Sequence, residues 1–315
     1  SRISAGERAV HLELERALTT VYEAEDCVIF NSGHAGGVST MAALMGPKDL
    51  IVHDALIHNC IVVGAQLSGA ARRTFAHNDL DTLDQLLTAD RHRFERVLIV
   101  AEGLYSMDGD GPDLARLHEI KTRHGAWLMI DDAHGLGVLG KTGRGLFEQQ
   151  DVAPRLADLW FGTLSKTLVG CGGYVAGSAA AVDLLKCHAP GFVYSVGMPA
   201  ATAAASTKAL EIMRREPERV GRLQALSQRF LAKARAAGLD TGTAWGYGII
   251  PIYIGETIKT LQIAQGLFEA GVNAFPILPP GVPERTARLR FFINATHEET
   301  DIDRAVKILA ALMRA

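Results

Sequence analysis

The stretch Trp127-Leu-Met-Ile-Asp-Asp-Ala-His134 is an apolar strand that ends abruptly in two carboxylates and an imidazole. In open α/β sheets, ligands bind beyond the carboxyl ends of the strands. Aspartate is also common in turns and helix caps, so the aspartate pair alone supports a structural role as well as a functional one. The stretch therefore predicts an α/β fold and makes Asp131, Asp132 and His134 candidate site residues.

The regions around this strand alternate between apolar, strand-like runs and segments with helical periodicity. The predicted strands are Cys27–Phe30, Leu50–His53, Val97–Ala101, Trp127–Ile130, Leu159–Gly162 and Tyr174–Ala176. The predicted helices include Leu80–Leu87 and Asp113–His124, with Gly125 as the stop of the second. Strands that alternate with helices predict a mostly parallel sheet flanked by helices on both faces.

The pattern changes near Pro199. A long helical region is predicted from Ala200 to Gly238, with a break near Pro217. Shorter elements follow it, with strands at Ile249–Ile254 and Leu289–Ile293 and helices at Ile258–Ala270 and Thr300–Met313. We therefore expect a large domain over residues 1–205 and a smaller C-terminal α+β domain over residues 206–315.

The composition argues against several classes of protein. The chain has 315 residues, of which 48% are hydrophobic and 21% charged, which is typical of a soluble globular protein with two domains. The formal net charge of −3 gives no reason to expect binding to nucleic acid or to an anionic membrane. No apolar run approaches the roughly 20 residues that span a bilayer. The scattered cysteines lack metal-ligand spacing, which indicates reduced thiols in a cytoplasmic protein and no metal site.

Two other predicted strand ends carry candidate chemistry. Lys166 follows the strand Leu159–Gly162, and burial there would partly desolvate its amine and lower its pKa, as a nucleophilic lysine requires. A lone lysine is, however, more often a solvated surface charge. The turn Asn31-Ser-Gly-His-Ala-Gly-Gly37 precedes a helical run whose free N–H groups could bind a phosphate. An ordinary strand-to-helix turn explains that motif equally well.

The motif Gly135-Leu-Gly-Val-Leu-Gly140 matches the dinucleotide-binding pattern G-x-G-x-x-G but lacks its context. Asp-Asp-Ala-His separates the motif from the strand, and Lys141-Thr-Gly-Arg-Gly145 opens a poor helix. We therefore do not predict a dinucleotide site.

The three strand-end elements together supply what pyridoxal phosphate (PLP) requires: N–H donors for the phosphate, an acid for the pyridine nitrogen and an amine for the aldehyde. Longer stretches then carry a family resemblance. They are Ala101-Glu-Gly-Leu-Tyr-Ser-Met-Asp-Gly-Asp110, Ile130-Asp-Asp-Ala-His-Gly-Leu-Gly137, Gly162-Thr-Leu-Ser-Lys166 and Ala287-Arg-Leu-Arg290. In this order they resemble the α-oxoamine synthases, which are PLP-dependent transferases of fold type I. The resemblance covers essentially the whole chain.

The resemblance implies which residues carry out catalysis. Lys166 would anchor the cofactor and later act as the general base. Asp131 would pair with the protonated pyridine nitrogen and keep the ring cationic. His58 would stack on the pyridine ring, and His134, with Ser106 nearby, would hydrogen-bond the phenolic oxygen of the cofactor.

The resemblance also implies residues that bind the phosphate and the substrate. The backbone N–H groups of Gly33 and His34 and the hydroxyl of Thr163 would bind the phosphate. Arg290 would bind the carboxylate of an amino acid, a role that suits a planar, two-pronged donor. Glu102 would support the site from behind the residues that touch the cofactor.

The sequence departs from the family pattern in several places. His34 stands where an aromatic residue is usual, and Gly37 stands where asparagine is common. In the family, several hydroxyl groups of the segment that matches Tyr194-Ser-Val-Gly-Met-Pro199 reach the phosphate of the neighbouring subunit. In this sequence only Ser195 can supply such a hydroxyl. The given sequence also begins after the family's N-terminal segment, which contacts substrate.

The reaction that the resemblance implies is a decarboxylative condensation of an α-amino acid with an acyl thioester, carried by coenzyme A or by an acyl carrier protein. Its products are an α-amino ketone, carbon dioxide and a free thiol. The resemblance also implies a homodimer. The alternatives are an aminotransferase or aldolase of the same fold type, or a non-catalytic partner subunit. The Ser106–Asp110 and Arg288–Arg290 motifs favour the synthase, and the presence of Lys166 argues against the non-catalytic role.

Overall fold

The computed structural model describes residues 1–314 of the chain, which fold as two compact units. The large unit comprises Ser1–Leu104 and Gly111–Glu216, and the small unit comprises Tyr105–Asp110 and the chain from Pro217 onward. The predicted boundary at residues 205 and 206 falls inside a helix that packs against the first long helix and stays with the large unit. Residues 105–110, expected in the large domain, belong to the small unit.

A seven-stranded sheet forms the centre of the large unit. Its strands are β1 Asp26–Phe30, β2 Leu50–Asp54, β3 Ala71–Phe75, β4 Val97–Glu102, β5 Trp127–Asp131, β6 Leu159–Thr163 and β7 Gly173–Gly177. They lie in the order β1-β7-β6-β5-β4-β2-β3. Strands β2 to β6 are parallel, and β7 runs antiparallel to both of its neighbours. The predicted, mostly parallel sheet is confirmed.

The helices of the large unit begin and end at recognisable signals. They are α1 Ala9–Tyr22, α2 Gly33–Leu44, α3 Asn59–Ser68, α4 Leu80–Asp90, α5 Leu114–His124, α6 Leu146–Gln149, α7 Ala179–His188, α8 Pro190–Val193 and α9 Ala200–Arg215. Short helical turns lie at Arg2–Gly6, Arg91–Arg93 and Pro154–Leu156. At the start of α5 the Asp113 side chain accepts a hydrogen bond from the Arg116 N–H at 2.9 Å. The helix ends at Gly125, in the left-handed conformation that a helix stop requires.

Helices pack on both faces of this sheet. On one face, Val28, Val100 and Phe161 share an apolar cluster with side chains from α2, α3 and α7. On the other face, Tyr22 of α1 stacks on Trp160 of β6, with ring centroids 5.1 Å apart. Trp160 and Phe161 serve different layers because successive strand residues point to opposite faces. The apolar strands that the sequence displays are therefore buried on both sides.

The small unit is built on a three-stranded antiparallel sheet. Its strands are β8 Ile249–Gly255, β9 Phe275–Ile277 and β10 Ala287–Phe292, in the order β8-β10-β9, and its helices are α10 Glu218–Ala236, α11 Thr257–Glu269 and α12 Glu299–Arg314. Phe230 of α10 packs on Phe291 of β10 with ring centroids 4.7 Å apart. None of the helices described over residues 1–314 is long and apolar enough to cross a membrane.

The predicted strands and helices are confirmed, including the break between α9 and α10 at Pro217. The sequence pattern did not reveal the strands β3 and β9. Strand β3 contains Arg72 and Arg73 and lies at the edge of the sheet, so no apolar run marks it. Strand β9 has only three residues, one of which is Pro276.

Helices α2 and α3 approach each other closely at Gly64. An added Cβ at Gly64 would lie 2.8 Å from the Met41 Cβ and 2.8 Å from the Val38 carbonyl oxygen. We therefore expect Gly64→Ala to lower the free energy of unfolding by about 1–3 kcal/mol, which is the usual cost of overpacking. Denaturant unfolding followed by circular dichroism measures the change.

Gly221 in α10 is the matched control, because an added Cβ at that helical glycine meets nothing within 4 Å. Gly221→Ala should instead raise stability by about 0.5–1 kcal/mol, since alanine is the better helix former. Equal effects of the two substitutions would contradict the close approach of α2 and α3.

Candidate active site

Polar side chains end neighbouring parallel strands of the large unit at one edge of its sheet. Asp54 ends β2, Glu102 ends β4, Asp131 ends β5 and Thr163 ends β6. Glu102 is buried and lies opposite Asp131 in the strand register. The fold thus gathers these groups at the carboxyl ends of parallel strands, where ligands of open α/β sheets bind.

Asp131 is a buried carboxylate with a backbone donor and a nearby cation. It is 5% exposed, and its Oδ1 accepts a hydrogen bond from the Ala133 N–H at 3.1 Å. Burial raises the pKa of Asp131 to about 6, while the Ala133 N–H and the positive charge of Lys166 act in the opposite direction. A further cationic N–H group beside Asp131 would favour its ionised form.

Lys166 lies in the turn that follows β6. The Lys166 carbonyl oxygen accepts a hydrogen bond from the Val169 N–H at 3.1 Å, which closes this turn. The Lys166 side chain is exposed, so the expectation that it is partly desolvated is wrong. The reason is its place in the turn, outside the buried strand. Its charge nevertheless lowers the pKa of both His58 and Asp131, which lie within electrostatic reach.

His58 is the N-cap of helix α3. Its Nδ1 accepts a hydrogen bond from the Cys60 N–H at 3.2 Å, so the neutral ring carries its proton on Nε2. Surrounding protein atoms withdraw the ring from water and lower its pKa, although part of the side chain remains exposed. The charges of Lys166 and His34 lower that pKa further. A neutral imidazole is suited to stacking on an aromatic ligand.

The turn after β1 opens helix α2, as the sequence predicted. Ser32 is the N-cap, so the backbone N–H groups of Gly33 and His34 lie in the first turn of the helix. An added Cβ at Gly33 would lie 3.0 Å from the Thr163 Oγ1, and the Thr163 hydroxyl donates to the Gly172 carbonyl oxygen at 3.0 Å. The structure therefore brings a helix N-terminus and a hydroxyl together, as a phosphate site requires.

His134 is half-buried in the turn that follows β5. The Gly135 N–H donates to the Asp132 carbonyl oxygen at 3.0 Å and closes this turn. The Thr167 hydroxyl donates to the Leu136 carbonyl oxygen at 2.9 Å, which ties the His134 turn to the segment that carries Lys166. The glycine motif 135–140 forms turns, in which Gly137 has a φ of 78°.

The departures from the family motif near this edge have structural partners. An added Cβ at Gly37 would lie 2.7 Å from the Cys60 Sγ, so the Cys60 side chain fills the space that a larger residue 37 would need. The Asn31 Nδ2 donates to the Ser195 Oγ at 2.8 Å and lies 3.4 Å from the Val196 carbonyl oxygen. The Ser195 hydroxyl thus contacts the turn between β1 and α2 of its own chain.

Arg290 and Ser106 belong to the small unit, where they contact each other. The Arg290 Nη1 donates to the Ser106 carbonyl oxygen at 3.0 Å, and the guanidinium lies 4.6 Å from the centre of the Phe292 ring. Burial lowers the pKa of Arg290, and its buried Nε has no hydrogen-bond partner in the described chain. A guanidinium with an unused N–H is suited to bind a carboxylate.

Arg288 received no role from the sequence, yet it connects β10 to the Tyr105–Asp110 segment. It is buried, and its Nη1 donates to the Asp108 Oδ1 at 2.7 Å. The Tyr253 hydroxyl donates to the same oxygen, and the guanidinium lies 4.0 Å from the centre of the Tyr253 ring. The available signal was the spacing of Arg288 and Arg290, which puts both on one face of β10.

Comparisons with known proteins cover nearly the whole chain. The family model described as aminotransferase class I and II matches residues 2–309. A putative 8-amino-7-oxononanoate synthase from Gloeobacter violaceus is 42% identical over 315 residues, which are 99% of this chain and 78% of that protein. An 8-amino-7-oxononanoate synthase from Methylocella silvestris is 38% identical over 100% of this chain and 87% of its own length.

Solved structures of serine palmitoyltransferases have the same fold. The enzyme from Sphingomonas wittichii superposes with a TM-score of 0.94 at 26% identity, over 100% of this chain and 78% of that one. The enzyme from S. paucimobilis, with a PLP–myriocin aldimine bound, gives a TM-score of 0.94 at 25% identity over 100% and 79%. With its motifs in the order of the family, the chain belongs to the aminotransferase class I and II family and, within it, to the α-oxoamine synthases.

Proposed function

We propose that this chain catalyses the decarboxylative condensation of an α-amino acid with an acyl thioester of coenzyme A or of a carrier protein. A carbon–carbon bond forms between the amino-acid α-carbon and the acyl carbon. The carboxyl group leaves as carbon dioxide, and the thiol leaves with a proton. The observation that carries the proposal is the group of Asp131, His58 and Lys166 at the carboxyl edge of the sheet.

The residues at this edge fit PLP as the cofactor. Asp131 is a buried carboxyl group with a pKa of about 6, and a pyridinium N–H would complete its pairing. The N–H groups of Gly33 and His34 at the start of α2 suit a phosphate. Lys166 carries the amine for the aldehyde and lies within electrostatic reach of Asp131. The donor set therefore matches each polar group of PLP.

The residues of the large unit divide the work on the cofactor. When bound, PLP supplies an electron sink for the negative charge that develops at the α-carbon of the substrate. Asp131 holds a proton on the pyridine nitrogen and so keeps the ring cationic. His58 packs on the ring, and His134 hydrogen-bonds the phenolic oxygen. Binding of the phosphate falls to Gly33, His34 and Thr163.

The remaining assigned residues act on the substrate or support the site. Lys166 anchors the cofactor and then moves the proton at the substrate α-carbon, as a general base. Arg290 binds the carboxylate of the amino acid, and its unused Nε supports this assignment. The family resemblance assigns Ser106 to the phenolic oxygen, and its carbonyl oxygen accepts a hydrogen bond from Arg290. Glu102 supports Asp131 from the neighbouring strand position.

An aminotransferase or an aldolase is the alternative, because such enzymes bind the same cofactor with similar residues. The matched family is also named for aminotransferases. The relatives favour the synthase, since four of them are 8-amino-7-oxononanoate synthases by name. A non-catalytic partner is the weakest alternative, because Lys166 is present with Asp131 and His134.

A homodimer and a cytoplasmic location are further parts of the proposal. Tyr194 and Val196 are 87% and 71% exposed, beside the contact with Asn31, and such exposed apolar side chains favour an interface with a second copy. A monomer mass in sedimentation equilibrium at micromolar concentration would contradict the dimer. The cysteines are free thiols, which supports a reducing compartment.

Product analysis tests the reaction class. The PLP-loaded protein is given alanine with a pimeloyl thioester, the pair that the carbon skeleton of 8-amino-7-oxononanoate requires, and serine with palmitoyl-CoA. Carbon dioxide and free thiol should appear in equal amounts with an α-amino ketone. Formation of a keto acid or an aldehyde without carbon dioxide would indicate the alternative instead.

Two lysine variants control this assay. Lys166→Ala should abolish product formation, because the cofactor anchor and the base are lost together. Lys48→Ala is the matched control, since Lys48 is 77% exposed and pairs with Glu95 at the surface. Its activity should equal that of the wild type.

The raised pKa of Asp131 predicts pH-dependent cofactor binding. Only the ionised carboxylate pairs with a protonated pyridine nitrogen, so PLP affinity should fall by up to about tenfold per pH unit below about pH 6 and level off above it. In Asp131→Asn this component should disappear, because the amide does not titrate. Equilibrium titration with PLP between pH 5 and pH 8 measures both proteins.

Asp26→Asn serves as the control for this titration. Asp26 begins β1 and pairs with Lys186 at 2.9 Å, at the opposite end of the strand from the α2 turn. Its removal should leave the midpoint unchanged. If Asp131→Asn kept the wild-type profile, Asp131 would not be the partner of the pyridine nitrogen.

A further inference from the structure

Asp132, the second acid of the motif, is a fully buried residue that the proposed chemistry does not use. Its exposed fraction is 0%. Its backbone N–H donates to the Phe161 carbonyl oxygen at 2.8 Å, and its carbonyl oxygen accepts from the N–H groups of Gly135 and Leu136, both at 3.0 Å. The main chain of Asp132 thus fixes the end of β5 and the start of the His134 turn.

The carboxyl group of Asp132 occupies a close-fitting cage of glycines. Gly103, Gly135 and Gly145 come from separate segments of the large unit, and an added Cβ at each of them would overlap a carboxyl oxygen of Asp132. Gly145 also has a φ of 103°, which favours glycine. Three chain segments therefore exclude other atoms from the space around this group.

The groups that face the Asp132 carboxyl are uncharged or negative. Tyr22 of α1 and Tyr174 of β7 lie on one side, with their hydroxyl oxygens 2.7 Å apart, and Asp131 is the adjacent acid. Neither carboxyl oxygen of Asp132 makes a hydrogen bond of good geometry among the residues described, although the Leu146 N–H and the Tyr22 hydroxyl lie close enough to lower its pKa. Burial raises the pKa of Asp132 well above its usual value, the Leu146 N–H opposes this, and the charge of Asp131 raises the pKa further.

Three other buried acids of the chain have an arginine partner. Asp49 is paired with Arg96 at 2.7 Å, Glu15 is paired with Arg2 at 2.6 Å, and Asp108 is paired with Arg288 at 2.7 Å. Over residues 1–314, no arginine, lysine or histidine forms such a pair with Asp132. Because an isolated buried charge is costly, the geometry around Asp132 suits only the neutral form.

We propose that Asp132 is a neutral carboxylic acid in the folded protein and acts as a positioning residue that leaves Asp131 as the one negative charge of the pair. Two ionised carboxyl groups on adjacent residues, both withdrawn from water at the end of β5, would repel each other. The different surroundings of the two groups favour ionisation of only one of them. The Asp131 part of this inference rests on the proposed function. The protonation of Asp132 does not, and it is measured without the cofactor.

Thermal unfolding of the cofactor-free protein as a function of pH tests the protonation of Asp132, with Asp132→Asn compared to wild type. Above about pH 4 the unfolded chain ionises Asp132 while the folded protein keeps the proton, so wild-type stability falls as pH rises through this window. The asparagine does not titrate. The ratio of the variant's unfolding constant to that of wild type should therefore fall about tenfold per pH unit between pH 5 and pH 7. The Tm of the variant minus that of wild type should rise by about 2 °C per pH unit.

Asp49→Asn is the matched control, because Asp49 is equally buried but paired with Arg96. It should lose stability relative to wild type at neutral pH, since the arginine is left without its partner. A falling relative Tm of Asp132→Asn as pH rises, or a flat one, would overturn the proposal. If Asp132→Asn does not fold, Asp132→Leu is a second neutral replacement of similar shape, to which the same outcomes apply.

The positioning role has its own readout in PLP binding. Replacing a neutral acid by an amide removes no charge, so the pH midpoint of PLP affinity should be the same in Asp132→Asn and wild type. An ionised Asp132 would give a different result: its loss would lower the pKa of Asp131 and shift the midpoint downward by about one pH unit or more. That shift would overturn the proposal. Failure of PLP to bind to wild type would instead contradict the proposed function, while the unfolding test would still stand.

Discussion

Withdrawal of carboxyl groups from water at the end of strand β5 is the constraint on which the site of the large unit depends. Asp131 is the last residue of β5 and Asp132 follows it directly, and both side chains are buried. A charge is stable in such surroundings only where the protein supplies a partner. Lys166 acts on Asp131 from the neighbouring turn, whereas glycines and tyrosines surround Asp132. The two acids therefore have different chemistry, and only one is available to a cationic ring.

The parallel sheet then determines which other residues reach Asp131. Parallel strands end at one edge, and the register puts Glu102 beside Asp131. The turns that leave this edge carry Lys166 after β6 and His58 after β2, from regions far apart in the sequence. Strand β1 also ends at this edge, because β7 is antiparallel to both of its neighbours, and so the α2 turn joins the site.

Much of this arrangement was predictable because the strands of a doubly covered sheet are continuous apolar runs, and their polar ends are conspicuous. Asp131, Lys166 and the turn at Gly33 were found in that way, and the motif order identified the family. Features that depend on tertiary packing were not predictable. The exposure of Lys166 and the fit of Cys60 against Gly37 are examples. In the sequence, the glycines around Asp132 are typical of ordinary turns. Their positions do not indicate that they enclose its carboxyl group. Ser106 was assigned to the large domain, whereas the structure places it in the small unit. Its hydrogen bond with Arg290 joins segments far apart in the sequence, and so the pattern did not reveal it.

The central claim is that Lys166, at the edge defined by Asp131, carries PLP. Borohydride reduction of the PLP-loaded protein, followed by peptide mass analysis, tests it most directly. We predict a yellow protein that bleaches on reduction and carries one pyridoxyl group, on the peptide that contains Lys166. A label on another lysine, or a protein that stays colourless and unlabelled with PLP in excess, would contradict the account.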